Sequence, residues 1–329
     1  MKKYKKYLSL FLCLVCFTTA VLIAYEKPFG GKGKGKNETV SDIDEFSEVI
    51  SSVVVMMNAD ALSDEKTRSA SREAEYDSVT FENSYTVEGV TSMEHQTVRA
   101  KMTGQENWCI DKGGDRLYVD GFCNMQAADS SYSANNTNMY MKYQLYYDKN
   151  FGWLVRFDTV RGDVFPPQIL GKWISVESFD EYVEVSDLFD QFLVRSYSFF
   201  DTFDTYINEQ RDSAFTKNGS LFTMQDEFFK NLVKGLYEQY PNCSGLGFSL
   251  GALNDVTGVL QVDLSDEERP FIDFSNDINC NVRIADEQGN FVNATYNEKC
   301  EQKIVITNID NTEVSKLDLD EVVDFDDLM

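Results

Sequence analysis

Two hydrophobic periodicities alternate along the chain. Over residues 41–62 apolar residues recur with the 3.6-residue period of a helix, and Ser41 followed by Asp44 and Glu45 is typical of a helix start. From about residue 76 to 176 the pattern changes to short apolar–polar alternations separated by turn-forming residues. Helical periods return within 179–210 and 224–239, and strand patterns follow up to about residue 307. The predicted order is therefore helix, strands, helices, strands.

Tight turns separate the strand-like runs of the first half. Turn residues stand at Glu88-Gly89, at 112–115, at 148–150 and at 161–163. The predicted strands between them are 78–87, 97–102, 107–110, 116–119, 139–147, 152–159 and 172–176. Short strands joined by such turns indicate an antiparallel meander, and the alternation within 139–145 indicates one apolar face.

Aromatic and leucine side chains dominate the apolar faces of the later predicted helices. Their apolar area exceeds what two helices need if they pack only on each other. One interpretation is a core that faces the sheet, and the other is an apolar pocket enclosed by helices and sheet. The candidate ligand-binding residues of such a pocket are Phe192, Phe199, Phe203, Phe229, Leu232, Leu236, Trp153 and Trp173.

The N-terminus has the pattern of a membrane-targeting segment. Four lysines within the first six residues precede an uncharged run over 7–25, which as a helix would span about 28 Å, close to the thickness of a bilayer core. We expect a signal-anchor or signal peptide at 1–25, a flexible basic linker at 26–40, and everything after it outside the cytoplasm. The predicted localisation is the cell membrane, single-pass with an extracytoplasmic C-terminal domain, or secretion if the segment is cleaved. Lipidation is a third alternative, although Cys13 and Cys16 lack the small residue that should precede a lipidated cysteine.

Charge is distributed unevenly. The formal net charge is −25, yet residues 1–36 carry +7, so the remainder of the chain carries −32. A domain this acidic repels nucleic acid, which excludes nucleic acid as a partner. Residues 309–329 form an acidic tail that we expect to be disordered, and 41–308 form the folded domain.

Five cysteines lie beyond the hydrophobic segment. In an oxidising compartment the natural disulfide pairs are Cys109–Cys123 and Cys280–Cys300, each flanking a predicted hairpin, with Cys243 left over. Free, buried thiols are the alternative, and the spacing lacks the paired pattern of a zinc site.

Catalytic motifs are weak. Residues 247–251 fit the G-x-S-x-G pattern of a hydrolase nucleophile, but a helix precedes them and the single histidine, His95, lies far upstream. The acidic clusters lack the spacing of a calcium loop. The sequence therefore predicts no enzyme, no catalytic residue, no metal and no cofactor.

Two short strand-like segments resemble the LolA/LppX-like lipoprotein-carrier fold and its Gram-positive relatives. One is residues 107–111 with 116–121, a strand–turn–strand with an aromatic in each arm, and the other is the Gly-Lys-Trp strand at 170–176. The resemblance implies an α+β fold: a curved antiparallel β-sheet, or half-barrel, closed by helices over a cavity for acyl chains.

Two functional hypotheses follow. The first is a membrane-tethered extracytoplasmic binding protein that holds a lipid, a lipoprotein acyl chain or another hydrophobic ligand without covalent chemistry. The second is a surface adapter or sensor domain whose cavity is filled by its own aromatics and which binds a protein or envelope partner. Packing of the helix at 224–239 should discriminate between them.

Overall fold

The structure is a computed structural model that describes residues 39–58, 75–94, 96–111, 116–130, 137–148, 152–161, 167–176, 199–238, 248–285, 291–317 and 322–324. In these ranges the helices are α1 (Ile43–Asn58), α2 (residues 199–209), α3 (Arg211–Ala214) and α4 (Asp226–Glu238), with a 3₁₀ turn at Pro167–Ile169. The strands are β1 (Ser78–Met93), β2 (Gln96–Asp111), β3 (Arg116–Asp129), β4 (Thr137–Asp148), β5 (Gly152–Arg161), β6 (Trp173–Ser175), β7 (Phe215–Asn218), β8 (Leu221–Met224), β9 (Phe248–Asp263), β10 (Phe271–Ala285), β11 (Phe291–Ile309) and β12 (Val322–Val323).

These twelve strands of the described ranges form one sheet, in the order β12-β6-β5-β4-β3-β2-β1-β11-β10-β9-β8-β7. The two predicted meanders are joined edge to edge, because β1 pairs with β11 from Val79–Ile309 to Ser92–Thr295. All pairs are antiparallel except β12 with β6, so the sheet is mixed. The predicted α+β class, a half-barrel closed by helices, is therefore wrong: the fold is β-rich and built on a single twelve-stranded mixed sheet.

Strands longer than predicted account for much of this difference. Glu88-Gly89, interpreted as a turn, lies in the middle of β1, opposite Lys101 and Ala100 of β2. The predicted strands 97–102 and 107–110 are one strand, because Gly104 between them pairs with Tyr85 and Cys123 instead of turning. Glycine in a strand interior commonly marks a close approach of a neighbouring group, and the Tyr85 ring lies over this one.

One face of the sheet, called the inner face here, packs against the helices. Alternate residues of β1, including Val79, Phe81 and Val87, point to this face and are buried. Phe200 of α2 contacts the Phe81 ring with centroids 5.5 Å apart, and Phe229 of α4 lies 5.7 Å from the Phe274 ring of β10.

For α1 and α4 the helix boundaries agree with the sequence prediction to within four residues, whereas most of the helical pattern predicted over 179–210 lies outside the described residues and α2 covers 199–209. The helix predicted over 41–62 is α1, and the one over 224–239 is α4. Asp42 caps α1, since its Oδ1 accepts hydrogen bonds from the backbone N–H groups of Asp44 and Glu45 at 2.9 and 3.0 Å. Ser41, the predicted cap, instead donates to the Glu45 carboxylate.

The opposite, outer face carries a second, smaller hydrophobic cluster that the C-terminal segment covers. Its buried members are Cys109, Tyr146, Leu154, Trp173 and Val314. The Val314 backbone N–H donates to Asp111 at 3.1 Å, and the Arg116 guanidinium donates to the Val314 carbonyl at 2.6 Å. Within the predicted acidic tail, Val314 therefore packs on the outer face, and Val322 and Val323 pair with β6.

A further correction concerns the predicted transmembrane helix and the single-pass localisation drawn from it. None of the helices in the described ranges combines the length and the hydrophobicity that a bilayer-spanning helix requires. The hydrophobic segment 7–25 and the linker up to residue 38 lie outside the described residues. Val40 at the end of the predicted linker is buried, and its backbone N–H donates to the Glu267 carbonyl at 2.8 Å.

Candidate functional site

A group of buried polar side chains lies on the inner face where β2, β1, β11 and β10 run side by side. We call it the central polar cluster and define it as Asn83, Glu106, Asn276 and Gln302. Their exposed fractions are 0%, 0%, 6% and 3%. Polar side chains this deeply buried are normally hydrogen-bonded, so each requires an explanation.

Strand pairing brings the four residues together. Asn83 lies opposite Glu106 across the β1–β2 pair. Gln302 lies opposite Tyr85, two residues along from Asn83 on the same face. Asn276 is the diagonal neighbour of Gln302, because Gln302 pairs with Phe274 and Cys300 pairs with Asn276. Diagonal neighbours on one face of an antiparallel pair are about 7–8 Å apart, within reach of amide side chains.

Six polar atoms of the cluster have no hydrogen-bond partner within the described part of the protein. They are both amide atoms of Asn83, both amide atoms of Gln302, Oε1 of Glu106 and Oδ1 of Asn276. Leaving a buried polar group unsatisfied costs about 1–3 kcal/mol, so six such atoms amount to about 6–18 kcal/mol. That figure is as large as the whole stability of a typical domain, about 5–15 kcal/mol. The cluster therefore needs polar partners, either buried water or a bound molecule.

Burial favours the protonated form of the Glu106 carboxyl group. Burial raises its pKa well above the ordinary value, a hydrogen bond from Trp108 opposes the shift, and the charge of Asp120 adds to it. The Trp108 indole Nε1 donates to Oε2 at 2.9 Å. Since Oε2 is the accepting oxygen, the geometry leaves Oε1 as the hydroxyl, a donor without an acceptor.

Two glycines give these side chains their positions. A Cβ on Gly121 would lie 2.0 Å from Cγ of Glu106, and a Cβ on Gly104 would lie 2.7 Å from the Tyr85 hydroxyl. Glu106 and Tyr85 therefore lie flat across β3 and β2 at points where any other residue would displace them. This arrangement fixes the direction of the carboxyl group.

Tyr85 and Cys123 close one side of the cluster. The Tyr85 hydroxyl is hydrogen-bonded to the Cys123 sulfur, and burial raises the pKa of the Cys123 thiol to about 12. A thiol with so high a pKa is almost wholly protonated at neutral pH and is a poor nucleophile. The Cys123 thiol is therefore suited to hydrogen bonding at this position.

Methionines form the apolar surface beside the cluster. Met102, Met125 and Met139 are paired neighbours on the inner face of β2, β3 and β4, and all are buried. Met102 lies two residues along β2 from Gly104, the residue opposite Tyr85. The unbranched thioether adapts to irregular shapes, so such a surface can accommodate an apolar group of varied outline.

A second buried carboxyl group shows how the same fold satisfies an acid. Glu298 of β11 accepts a hydrogen bond from Tyr237 of α4 at 2.8 Å and one from Tyr296 at 2.9 Å. Both oxygens have a donor, and the contact joins α4 to the sheet. Glu106 has a donor on one oxygen only, so the two sites differ in their need for an additional partner.

The residues predicted to line an apolar pocket do not form one surface. Phe199, Phe203, Phe229, Leu232 and Leu236 are buried where α2 and α4 meet β9 and β10. Their rings pack closely: Phe199 contacts both Phe203 and Phe274, with centroids 6.1 and 5.9 Å apart.

The two tryptophans predicted for the same pocket lie elsewhere. Trp153 is on the inner face of β5, six strand positions from β10, where its ring lies 5.0 Å from that of Tyr147. Trp173 lies in the outer-face cluster. The helix at 224–239 thus packs on the sheet at Phe274 and not on either tryptophan, while Phe192 lies outside the described residues.

Both predicted disulfides are wrong. Cys109 pairs with Tyr118 whereas Cys123 pairs with Gly104, so the two cysteines are five residues apart in register and on opposite faces. Cys280 and Cys300 share a face but are four residues apart in register, about 13 Å at 3.4 Å per residue. A disulfide needs Cα atoms within about 7 Å, and all four cysteines are buried thiols that form no disulfide. Cys243 lies outside the described residues.

The outer face has a groove of about 420 Å³ over the same central strands. Side chains that border it include Ser84, Thr103, Gln105, Phe122 and Asp273. It lies on the other side of the sheet from the central polar cluster.

Sequence reasoning missed the cluster because it divided β2 into two strands. With one continuous strand, the alternation that places Met102, Trp108 and Ile110 inside also places Glu106 inside. A charged residue in an inward register position is the signal that could have identified it.

Comparison with known proteins assigns no relative. No family model and no curated protein matches the chain. Among solved structures, the outer membrane protein OprG from Pseudomonas aeruginosa aligns with 71% of this chain and 94% of its own, at 4% identity and a TM-score of 0.15. Similarity at this level assigns neither fold nor function.

Proposed function

We propose that this protein is a non-catalytic binding protein that holds a small, largely hydrophobic molecule between the inner face of the sheet and the helices, with one polar group at the central polar cluster. The observation that carries the proposal is the set of six buried polar atoms without partners on Asn83, Glu106, Asn276 and Gln302. A polar group of the ligand would supply the missing hydrogen bonds and fix the orientation of the molecule.

Affinity would come from buried apolar surface. At about 25 cal/mol per Å², burying 300 Å² of a ligand's apolar surface gains about 7.5 kcal/mol, before the entropy lost on binding is subtracted. Met102, Met125 and Met139 are the inner-face surface next to the cluster, and they are placed to contact the apolar part. The polar cluster then contributes selectivity, since a molecule without a matching group leaves its six atoms unpaired.

Native mass spectrometry of the purified protein, before and after organic extraction, tests the proposal. We expect a co-purifying mass that extraction removes. Asn83→Leu and Gln302→Leu, which replace amides by apolar groups of similar size, should retain less of this mass than the wild type and remain folded. Asn279→Leu is the matched control, because Asn279 lies in an exposed asparagine ladder of the same sheet. Protein that is free of ligand from the start, and gains none from an added lipid extract, would contradict the proposal.

A surface adapter is the second candidate function. The close packing of Phe199, Phe203 and Phe229 favours it, because the region predicted as a cavity is filled by these rings. In that case waters would satisfy the central polar cluster, and a protein partner would bind the exterior. A clean apo mass together with unchanged stability after extraction would support this candidate over the first.

A further inference from the structure

The unpaired atoms of the central polar cluster describe the polar group that would complete it. Asn83 and Gln302 each offer a donor and an acceptor, Asn276 offers an acceptor, and Oε1 of Glu106 offers the hydroxyl of a neutral acid. The set therefore mixes donors with acceptors. A group that only accepts, or only donates, would leave several of these atoms unsatisfied.

Charge excludes two common kinds of head group. No lysine or arginine is among the buried side chains of the described ranges, so nothing there would neutralise a phosphate or sulfate. The buried acids near the cluster do not favour an ammonium group either, since burial raises the pKa of Glu106 and disfavours its ionised form, while Glu298 is engaged by two tyrosines. Burying an unpaired charge is far more costly than burying a neutral polar group.

The layout of the cluster fits a small planar group. Asn83 occupies the central strand β1, with Glu106 one strand away on one side and Gln302 one strand away on the other. Neighbouring strands are about 4.8 Å apart, so a group the size of a carboxamide placed over Asn83 lies within hydrogen-bonding reach of both flanking side chains.

Resting on the proposed function, we propose that the ligand's polar group is a neutral group that both donates and accepts hydrogen bonds, a carboxamide or a protonated carboxyl, attached to an apolar chain. Glu106 and the amide of Asn83 bind one edge of this group, and Gln302 binds the other. The Oδ1 atom of Asn276 accepts a hydrogen bond from the donor of the ligand's polar group at the edge that faces Gln302.

Four probes with the same twelve-carbon chain test the proposal: dodecanamide, dodecanoic acid, dodecyl phosphate and dodecyltrimethylammonium. Each is titrated below its micelle concentration into extracted full-length protein at pH 5, and binding is measured by native mass spectrometry and calorimetry. We expect dodecanamide and dodecanoic acid to bind at least tenfold more tightly than the two charged probes, which corresponds to about 1.4 kcal/mol.

The variants separate the head group from the chain. Asn83→Leu and Gln302→Leu should each reduce the tenfold preference to less than threefold while the protein still binds the chain, and Asn279→Leu should leave the preference unchanged. Two independent substitutions are used so that a folding defect in one does not decide the result, with circular dichroism as the check of folding.

The outcomes distinguish this inference from the proposed function. Binding of dodecyl phosphate or dodecyltrimethylammonium within threefold of dodecanamide overturns the head-group assignment but leaves a hydrophobic-ligand protein. A preference that survives both leucine substitutions likewise overturns the assignment of the cluster. If no twelve-carbon probe binds, the proposed function fails, and the head-group assignment fails with it.

Discussion

Replacing Glu106 by glutamine removes a titratable carboxyl group from the centre of the protein and keeps its size. In the folded state burial holds the pKa of Glu106 well above its ordinary value, so the group stays protonated at pH values where it is ionised in the unfolded chain. The folded state then binds one proton more than the unfolded state. Stability due to this group is fully present below the unfolded pKa, about 4.3, and is lost as the pH rises toward the folded pKa.

The magnitude follows from proton linkage. One proton of difference corresponds to about 1.36 kcal/mol per pH unit. Between pH 5 and pH 7 the Glu106 contribution therefore falls by up to about 2.7 kcal/mol for as long as the folded pKa remains above that range. Glutamine does not titrate, so the Glu106→Gln protein lacks this slope. The variant should gain stability relative to the wild type with each step in pH.

Urea unfolding at pH 5, 6 and 7, followed by tryptophan fluorescence, measures the effect on extracted protein. Trp108 donates directly to Glu106 and reports on the site. Other groups near the cluster do not mimic the slope, because Tyr85 and Cys123 have raised pKa values and do not titrate in this range. Asp120, whose pKa burial also raises, is present in both proteins and cancels in the difference to first order. Parallel stability curves, with a constant offset between pH 5 and 7, would refute the reasoning.

Three further predictions concern the surroundings of the site. Gly121→Ala should lower the free energy of unfolding by about 1–3 kcal/mol in urea, because the added methyl group overlaps the Glu106 side chain; an unchanged value would contradict the packing described. Tyr237→Phe should cost about 1.5–3 kcal/mol, because it removes a donor from the buried Glu298 carboxyl, and hydrogen exchange should increase in α4 if that contact holds the helix. Buried thiols such as Cys123 should resist iodoacetamide in the native state and react after unfolding, as followed by mass; rapid labelling of the folded protein would argue against their burial.

Helices were the part of the fold that the sequence predicted well, because their signals are local. The apolar stripe of α1 and the polar start of α4 are each contained within about five turns of chain. Hydrogen bonds of a helix are formed within the same segment, so periodicity is sufficient to locate it. Boundaries were the least accurate part, as the cap at Asp42 instead of Ser41 illustrates.

The sheet could not be assembled from local patterns. Pairing of β1 with β11 joins Val79 to Ile309, and nothing in either strand specifies the other as its partner. Turn chemistry was also misleading, because Glu88-Gly89, interpreted as a turn, lies within β1 opposite Lys101 and Ala100. The same long-range pairing explains why the hairpin-like spacing of the cysteines predicted disulfides that the register forbids.

The central polar cluster depends both on local sequence pattern and on long-range strand pairing. A single polar residue in an inward position, such as Asn83, is a local irregularity that costs about 1–3 kcal/mol and could be tolerated. Three different strand pairings, β1–β2, β1–β11 and β10–β11, bring four such residues to one part of the inner face. An apolar residue at each position would avoid this cost, and the neighbours Phe81 and Phe274 on the same face are buried apolar residues. Independent irregularities would scatter over the face, whereas these share one location and leave six atoms to be satisfied together. The common polar partner that we propose would account for all four residues at the same time.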